Sequence, residues 1–137
     1  MQKLPFLEKY FKYYLLLYPK AMESLNLSGY DVILSSSSAF AKGVRAEKGA
    51  LHICYCYTPT RFIWDYEKYV EKEKLLKLVV KVLQLAIKRL RKWDLETISR
   101  IDWFITISNN IKDKIKKFYN RDSVVIYPPV YISMFDI

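Results

Sequence analysis

Histidine occurs once, cysteine twice and glycine three times in these 137 residues. With His52 as the single imidazole, a zinc site would be short of ligands, since such sites need four donors at suitable spacing, and no metal is expected. Cys54 and Cys56 stand two apart in an apolar run, where a strand puts both on one face. A disulfide across so short a loop would be strained, so both read as core thiols. Low-complexity runs are absent, which argues against a long disordered tail. No stretch reaches about 18 uninterrupted apolar residues, which excludes a conventional membrane span. The start, "MQKLPFLEKYFKYYLLLY", lacks the uninterrupted apolar region and small-residue cleavage site of an export signal. A reducing cytoplasm is the expected location, with the inner face of a membrane as the alternative.

Acidic residues are also scarce: 14 Asp+Glu stand against 23 Lys+Arg, giving a formal charge of +9. That field favours anionic partners, whether nucleic acid, acidic lipid headgroups or phosphorylated small molecules, and charge alone does not choose among them. A chain of this length fits one domain and can bury roughly 70% of the surface its unfolded form exposes. Twelve tyrosines fit an ordered, aromatic-rich core.

Residues 6 to 18 place aromatic and leucine side chains at helical spacing, Pro19 can open a second short helix, and "NLSGYD" supplies turn chemistry. The pattern then changes. "DVILSSSS" is a short apolar run that dissolves into serines, as a buried strand does on entering a loop. "LHICYCY" and "WFITISNN" repeat that design, and "SVVIYPPV" is a fourth run stopped by two prolines. A long helical stretch from about Asp65 to Ile101, with a break expected near Trp93-Asp94, separates the second and third runs. "NNIKDKIKKFYN" separates the third and fourth, with Ile111, Ile115 and Phe118 on one helical face. Such alternation implies an α/β fold with about four parallel strands, right-handed crossovers and helices on the sheet.

In an open parallel sheet, ligands collect at the carboxyl ends of the strands. The loops that would share that rim are Ser35–Ser38 with Lys42 and Gly43, Tyr57–Arg61, Ser108 with Asn109, and Tyr127–Pro129. "SSSSAFAKG" offers hydroxyls and amides near a helix start, where the helix dipole favours an anion. Caps and turns account for the same serines equally well, and at Ser108 a helix cap is the stronger reading.

Within "EKEKLLKLVVKVLQLAIKRLRKW", Leu75, Val79, Val82, Leu83, Ala86, Leu90 and Trp93 form one apolar face, with Lys77, Lys81, Lys88, Arg91 and Lys92 largely off it. Leu78, Val80, Leu85 and Ile87 widen the apolar arc. Packing on the sheet is the commoner fate of such a helix, and contact with an anionic membrane surface is the other.

The succession "YDVILSSSSAFAKGV", "HICYCYTPTRFIWD", "RKWDLETISRIDWFITISNNI" and "VVIYPPV" resembles the amino-terminal, acceptor-side domain of the family 4 glycosyltransferases, from about Tyr18 to Phe135. These are retaining enzymes of the GT-B class, and the likeness is greatest to bacterial mannosyltransferase-like members. The resemblance implies a Rossmann-like domain facing a second one across a cleft. A nucleotide-sugar donor would bind mainly to the second domain and a glycan or lipid-linked acceptor mainly to the first, with no metal and no other cofactor. Tyr57 falls where that family's "HTP" loop has histidine, followed by matching Thr58, Pro59, Arg61, Trp64 and Asp65. With an ordinary pKa near 10, tyrosine is a poor neutral-pH substitute for imidazole. Ser38, Lys42 and Gly43 match the serine-rich loop, and Ser108 and Asn109 the strand-end cap. Trp93, Asp94 and Arg100 match a helical signature that reads as structural. For Trp64 and Asp65, a packed ring and a helix cap compete with acceptor contact. Arg61 suits a substrate phosphate or carboxylate, and an ion pair with Asp65 one turn on is its competing role. No catalytic residue is assigned.

Members of that family also carry a first strand with a glycine-rich loop and a carboxyl-terminal donor domain, neither of which is recognisable here. Tyr131 stands for a usual aspartate, and Phe135 is retained. The expectation is therefore an incomplete acceptor-side domain, inactive in transfer by itself. Its "DVILSS" strand would be left as a sheet edge that recruits a second copy or a complementary chain. A non-catalytic interaction or membrane-associated subunit is the alternative. Nucleic-acid binding is disfavoured because the lysines fall on helix faces and the aromatics in apolar runs, not along a basic groove.

Overall fold

A computed structural model of the protein describes residues 11–65 and 77–129, with backbone alone at 11–13 and 77–82. Residues 11–23 form a 3-10 helix, Phe11–Leu17, that runs straight into α1, Tyr18–Glu23. Pro19 sits in the first turn of α1, where a missing amide N–H breaks no helical bond. The chain reverses at Gly29, whose φ of 79° lies in the left-handed region that glycine enters freely. It then enters β1, Val32–Ser37.

Three more strands follow: β2, Leu51–Cys56; β3, Trp103–Thr106; and β4, Val124–Val125. Between β2 and β3 lie α2, Arg61–Trp64, and α3, Lys77–Ile98; between β3 and β4 lies α4, Asn109–Tyr119. The four strands pair in parallel in the order β1-β2-β3-β4, so each crossover advances one position in the same direction. Right-handed crossovers of that kind put their helices on one side of the sheet. Burial follows, alternating strictly along the first three strands. The covered face carries Ile33, His52, Cys54, Cys56, Phe104 and Thr106. Cys54, Cys56 and Phe104 pack with Ile98, Ile101, Ile115 and Tyr119 into the core, and Trp64, Ile111 and Phe118 close its margin. Both cysteines are free and buried.

The α/β alternation, the four parallel strands and the helix over "NNIKDKIKKFY" match the sequence reading, and four details differ. First, α3 passes through Trp93-Asp94 without a break, because Asp94 and Thr97 are buried and bonded inside the fold, so the polar interruption does not end the packed face. Second, Ser35 and Ser37 are not loop residues: they continue β1, 6% and 2% exposed. Third, Ile87 belongs to the buried face of α3, whereas Leu85 is 72% exposed. Fourth, β4 pairs over only two residues before the prolines. The expected helical positions 6–10, 65–76 beyond Asp65, and the "YISMF" end fall outside the described residues, as do the side chains of Leu78, Val79, Val80 and Val82. No described helix is long and apolar enough to cross a membrane.

Candidate functional site

Because the strands are parallel, their carboxyl ends at Ser37, Cys56, Thr106 and Val125 share one rim. The loops leaving those ends carry Ser38, Tyr57, Thr58, Ser108, Asn109 and Tyr127, and Arg61 opens α2 just beyond. Ser38, Arg61 and Asn109 are exposed, and Tyr57 is 43% exposed. Tyr57 meets Tyr55 edge-on with ring centroids 5.2 Å apart, and Tyr55 in turn donates its hydroxyl to the Ile126 carbonyl at 3.1 Å. Asn109 Nδ2 donates to the Tyr127 hydroxyl at 3.5 Å, linking the last two loops. Arg61 has no ion-pair partner among the described residues, and the pairing with Asp65 does not form: only the backbone N–H of Asp65, which caps α2, bonds the Arg61 carbonyl at 2.7 Å. Among the described residues its guanidinium is left to meet an anion at the rim.

The other members of the set are engaged internally. Ser108 is the N-cap of α4 and accepts from the Ile111 N–H at 3.4 Å. Thr58 donates its hydroxyl to the Pro59 carbonyl at 3.0 Å, and Pro59 is buried. Lys42, 1% exposed, lies beneath the rim and not on it. Its ammonium donates to the Ala39 carbonyl at 2.7 Å and to Thr60 Oγ1 at 3.0 Å, and it pairs with Asp94 Oδ1 at 2.7 Å. Three donors with three partners leave nothing for a ligand. Gly43 is required for close packing: a Cβ there would lie 2.2 Å from Trp93 Cζ2, well inside van der Waals contact. The serine-rich motif therefore serves the first crossover more than the rim, and only Ser38 of its assigned residues faces outward.

Asp94 is the hub that the sequence did not reveal. It is fully buried, and both carboxylate oxygens are saturated: Oδ1 by Lys42 and by the Thr60 hydroxyl at 3.1 Å, Oδ2 by Trp64 Nε1 and the Tyr119 hydroxyl, each at 2.8 Å. The cluster ties the first crossover, α2, α3 and α4 together beside the ends of β1 and β2, through the Ala39 carbonyl and Thr60. Burial, reinforced by the Asp94 charge, pushes the Tyr119 phenol far above its ordinary range, so it stays a donor. The Cys56 thiol is likewise pushed up, by its hydrogen bond with the Cys54 thiol and by burial, and remains protonated.

A second cluster closes the amino-terminal end of the sheet. Arg100 and the Trp93 indole both donate to Glu23 Oε1 at 2.8 Å, and Arg45 reaches Oε2 at 2.9 Å. Burial works to raise the Glu23 pKa, but those three donors outweigh it and hold it below the usual carboxylate range. Arg100 also donates to the Gly43 carbonyl at 3.2 Å, so Trp93, Asp94 and Arg100 all serve the scaffold. His52, fully buried, bonds the Arg100 carbonyl through Nδ1 at 3.1 Å and Ser35 Oγ through Nε2 at 2.8 Å. A carbonyl only accepts, so Nδ1 carries the proton and Nε2 accepts from Ser35. Burial lowers this imidazole's pKa and keeps it neutral.

Among the described residues no group of three His, Cys, Asp or Glu side chains is placed to hold a metal ion. No protein-family profile, no curated protein sequence and no solved structure matches the chain. The chemistry of the rim therefore rests on its geometry: one free guanidinium, two phenols, a hydroxyl and an amide around the carboxyl ends of a parallel sheet.

Proposed function

We propose that the rim binds a sugar- or phosphate-bearing acceptor, and that the chain is the acceptor-side part of a retaining, nucleotide-sugar-dependent glycosyltransferase of the GT-B class, mannosyltransferase-like in kind. The observation that carries the reading is Arg61: an exposed guanidinium without an ion-pair partner among the described residues, at the strand-end position where parallel sheets hold ligands. Ser38, Tyr57 and Asn109 lie on the same rim and suit sugar hydroxyls, which both donate and accept. The net charge of +9 adds a field that draws anionic ligands inward. Lys42, Gly43, Thr58, Pro59 and Ser108 support this rim from beneath, by bonds within the chain.

The test is an amide-resolved NMR titration with mannose 1-phosphate as the probe. Shifts should concentrate at Ser38, Tyr57, Thr58, Arg61 and Asn109, and Arg61→Ala should weaken binding by about tenfold to a hundredfold, the worth of a charge-assisted contact to phosphate. Shifts confined to other surfaces, or an affinity indifferent to Arg61, would refute the assignment.

A further inference from the structure

Parallel sheets are almost always covered on both faces, because their strands carry apolar side chains on both. Here the described helices occupy one face only. On the other, Val32, Leu34, Leu51, Trp103, Val124 and Ile126 are between 37% and 68% exposed. The register lines them up across the sheet: Leu34 beside Ile53 beside Trp103, and Ser36, Tyr55, Ile105 and Val124 in the next row. No strand position on this face bears a charge.

We propose that this face, which no described helix covers, is a dimer interface, on which two copies of the chain stack sheet to sheet about a two-fold axis. Three observations select a second copy as the occupant. The strand positions of this face are mainly apolar and carry no cation, so they offer nothing to a polyanion but are complementary to a second copy of themselves, as an isologous contact requires. Its size also fits. Six large side chains, on average about half exposed, offer on the order of 500 Å², the upper end for a lone monomer's largest patch. With the half-buried Ile53, Tyr55 and Ile105 between them, the face approaches the ~800 Å² per partner of a standard interface. Finally, the positive charge of α3 and α4 does not oppose the contact. Lys88, Arg89, Lys92, Lys112, Lys116 and Lys117 are exposed on α3 and α4, on the far side of each sheet. Sheets stack about 10 Å apart, which leaves the two helix layers roughly 30 Å from each other, several times the ~8 Å screening length at physiological salt. The contact differs from the edge pairing that the "DVILSS" strand suggests: edge-to-edge association would leave Leu34 and Trp103 in water.

Sedimentation velocity on the 137-residue chain, from micromolar to near-millimolar concentration, tests the interface. The expected species is a dimer of twice 16.4 kDa. Leu34→Lys/Trp103→Lys should weaken it by more than about a hundredfold, since each copy would bury two unpaired charges, while far-ultraviolet circular dichroism stays unchanged. Should that variant not fold, Ser36→Cys decides on an otherwise native background. Cys54 and Cys56 are buried, so a bifunctional maleimide should cross-link the new thiol across the two-fold axis, and Trp103 emission should shift to the blue as the dimer forms. A chain that stays monomeric throughout, a dimer that survives the double lysine change, or a Ser36→Cys dimer that resists cross-linking overturns the proposal. The second result would reassign association to the β1 edge.

Discussion

Replacing Lys42 with methionine isolates the energetics of the buried hub. The change keeps most of the side chain's volume but deletes the ammonium that lies 2.7 Å from Asp94 Oδ1. At an effective dielectric of about 20, a pair at that distance attracts by about 6 kcal/mol, most of which offsets the cost of taking both charges out of water. Deleting one partner is therefore worse than the net value of the pair, because Asp94 stays fully buried with its charge and only neutral donors, Thr60, Trp64 and Tyr119, around it. Breaking a buried pair in this way costs about 3–5 kcal/mol. Against a typical domain stability of about 5–15 kcal/mol, that is a large fraction, and the melting temperature should fall by roughly 10–20 °C. Urea denaturation followed by circular dichroism should show the midpoint falling with the slope unchanged. Lys42→Met/Asp94→Leu should recover a substantial part of the loss, since an apolar pair removes the stranded charge as well as the attraction. A single-variant cost under about 1 kcal/mol, or a double variant that merely adds the two single costs, would show that the cluster does not act as a unit.

His52 makes stability depend on pH in a defined window. Its imidazole is held neutral in the fold, with a pKa lowered by burial, so the contribution is complete above the unfolded value near 6.5 and is lost as pH falls through the folded pKa, by at most about 1.4 kcal/mol per pH unit. Urea midpoints measured at about pH 7.5 and pH 5.5 should differ in that sense, and His52→Gln should flatten the difference; an equal slope in the variant would assign it elsewhere, since Glu23 loses its contribution only below the ordinary carboxylate range. Gly43→Ala drives a methyl to 2.2 Å from the Trp93 ring, and the overpacking should cost about 1–3 kcal/mol or more. Unchanged stability in that variant would mean that the Trp93 ring yields freely despite its bond to Glu23.

The strands and their parallel direction could be read because each strand is a local event: "VIL", "HICYC" and "WFIT" are β-branched and aromatic runs ending in polar residues, and helical periods lie between the last three. The places where that reading failed are places where a residue's partner is far away in sequence. Ser35 and Ser37 look like loop serines locally, yet Ser35 is held in β1 by His52, and the Ser37 carbonyl by the Tyr57 N–H at the end of β2. Asp94 looks like a helix breaker until Thr60, Trp64 and Tyr119 are seen to converge on it from 25 to 34 positions away. No hydropathy window registers such a convergence. A lysine beside a glycine after a run of serines suggests an anion site for the same reason, and only the fold supplies the carboxylate that already neutralises it. One signal was available: Trp-Asp in the middle of an apolar helix face puts a charge where none can stay unpaired.

This arrangement separates what holds the rim from what the rim can bind. Lys42, Asp94, Thr60 and Tyr119 are buried and mutually satisfied, so they fix the first crossover and α2 without presenting any free group. Arg61 and Ser38 stand on those same segments but are exposed, and Arg61 makes no ion pair among the described residues. A rigid base of this kind limits how far the Arg61 backbone can wander, and a contact group on a fixed base loses less conformational entropy when it meets a ligand. The two layers therefore respond to mutation in opposite ways: removing the Arg61 guanidinium should leave the unfolding midpoint where it is and affect only binding at the rim. Removing the Lys42 ammonium should lower the midpoint and, by loosening α2, weaken the same binding without contributing any contact to it.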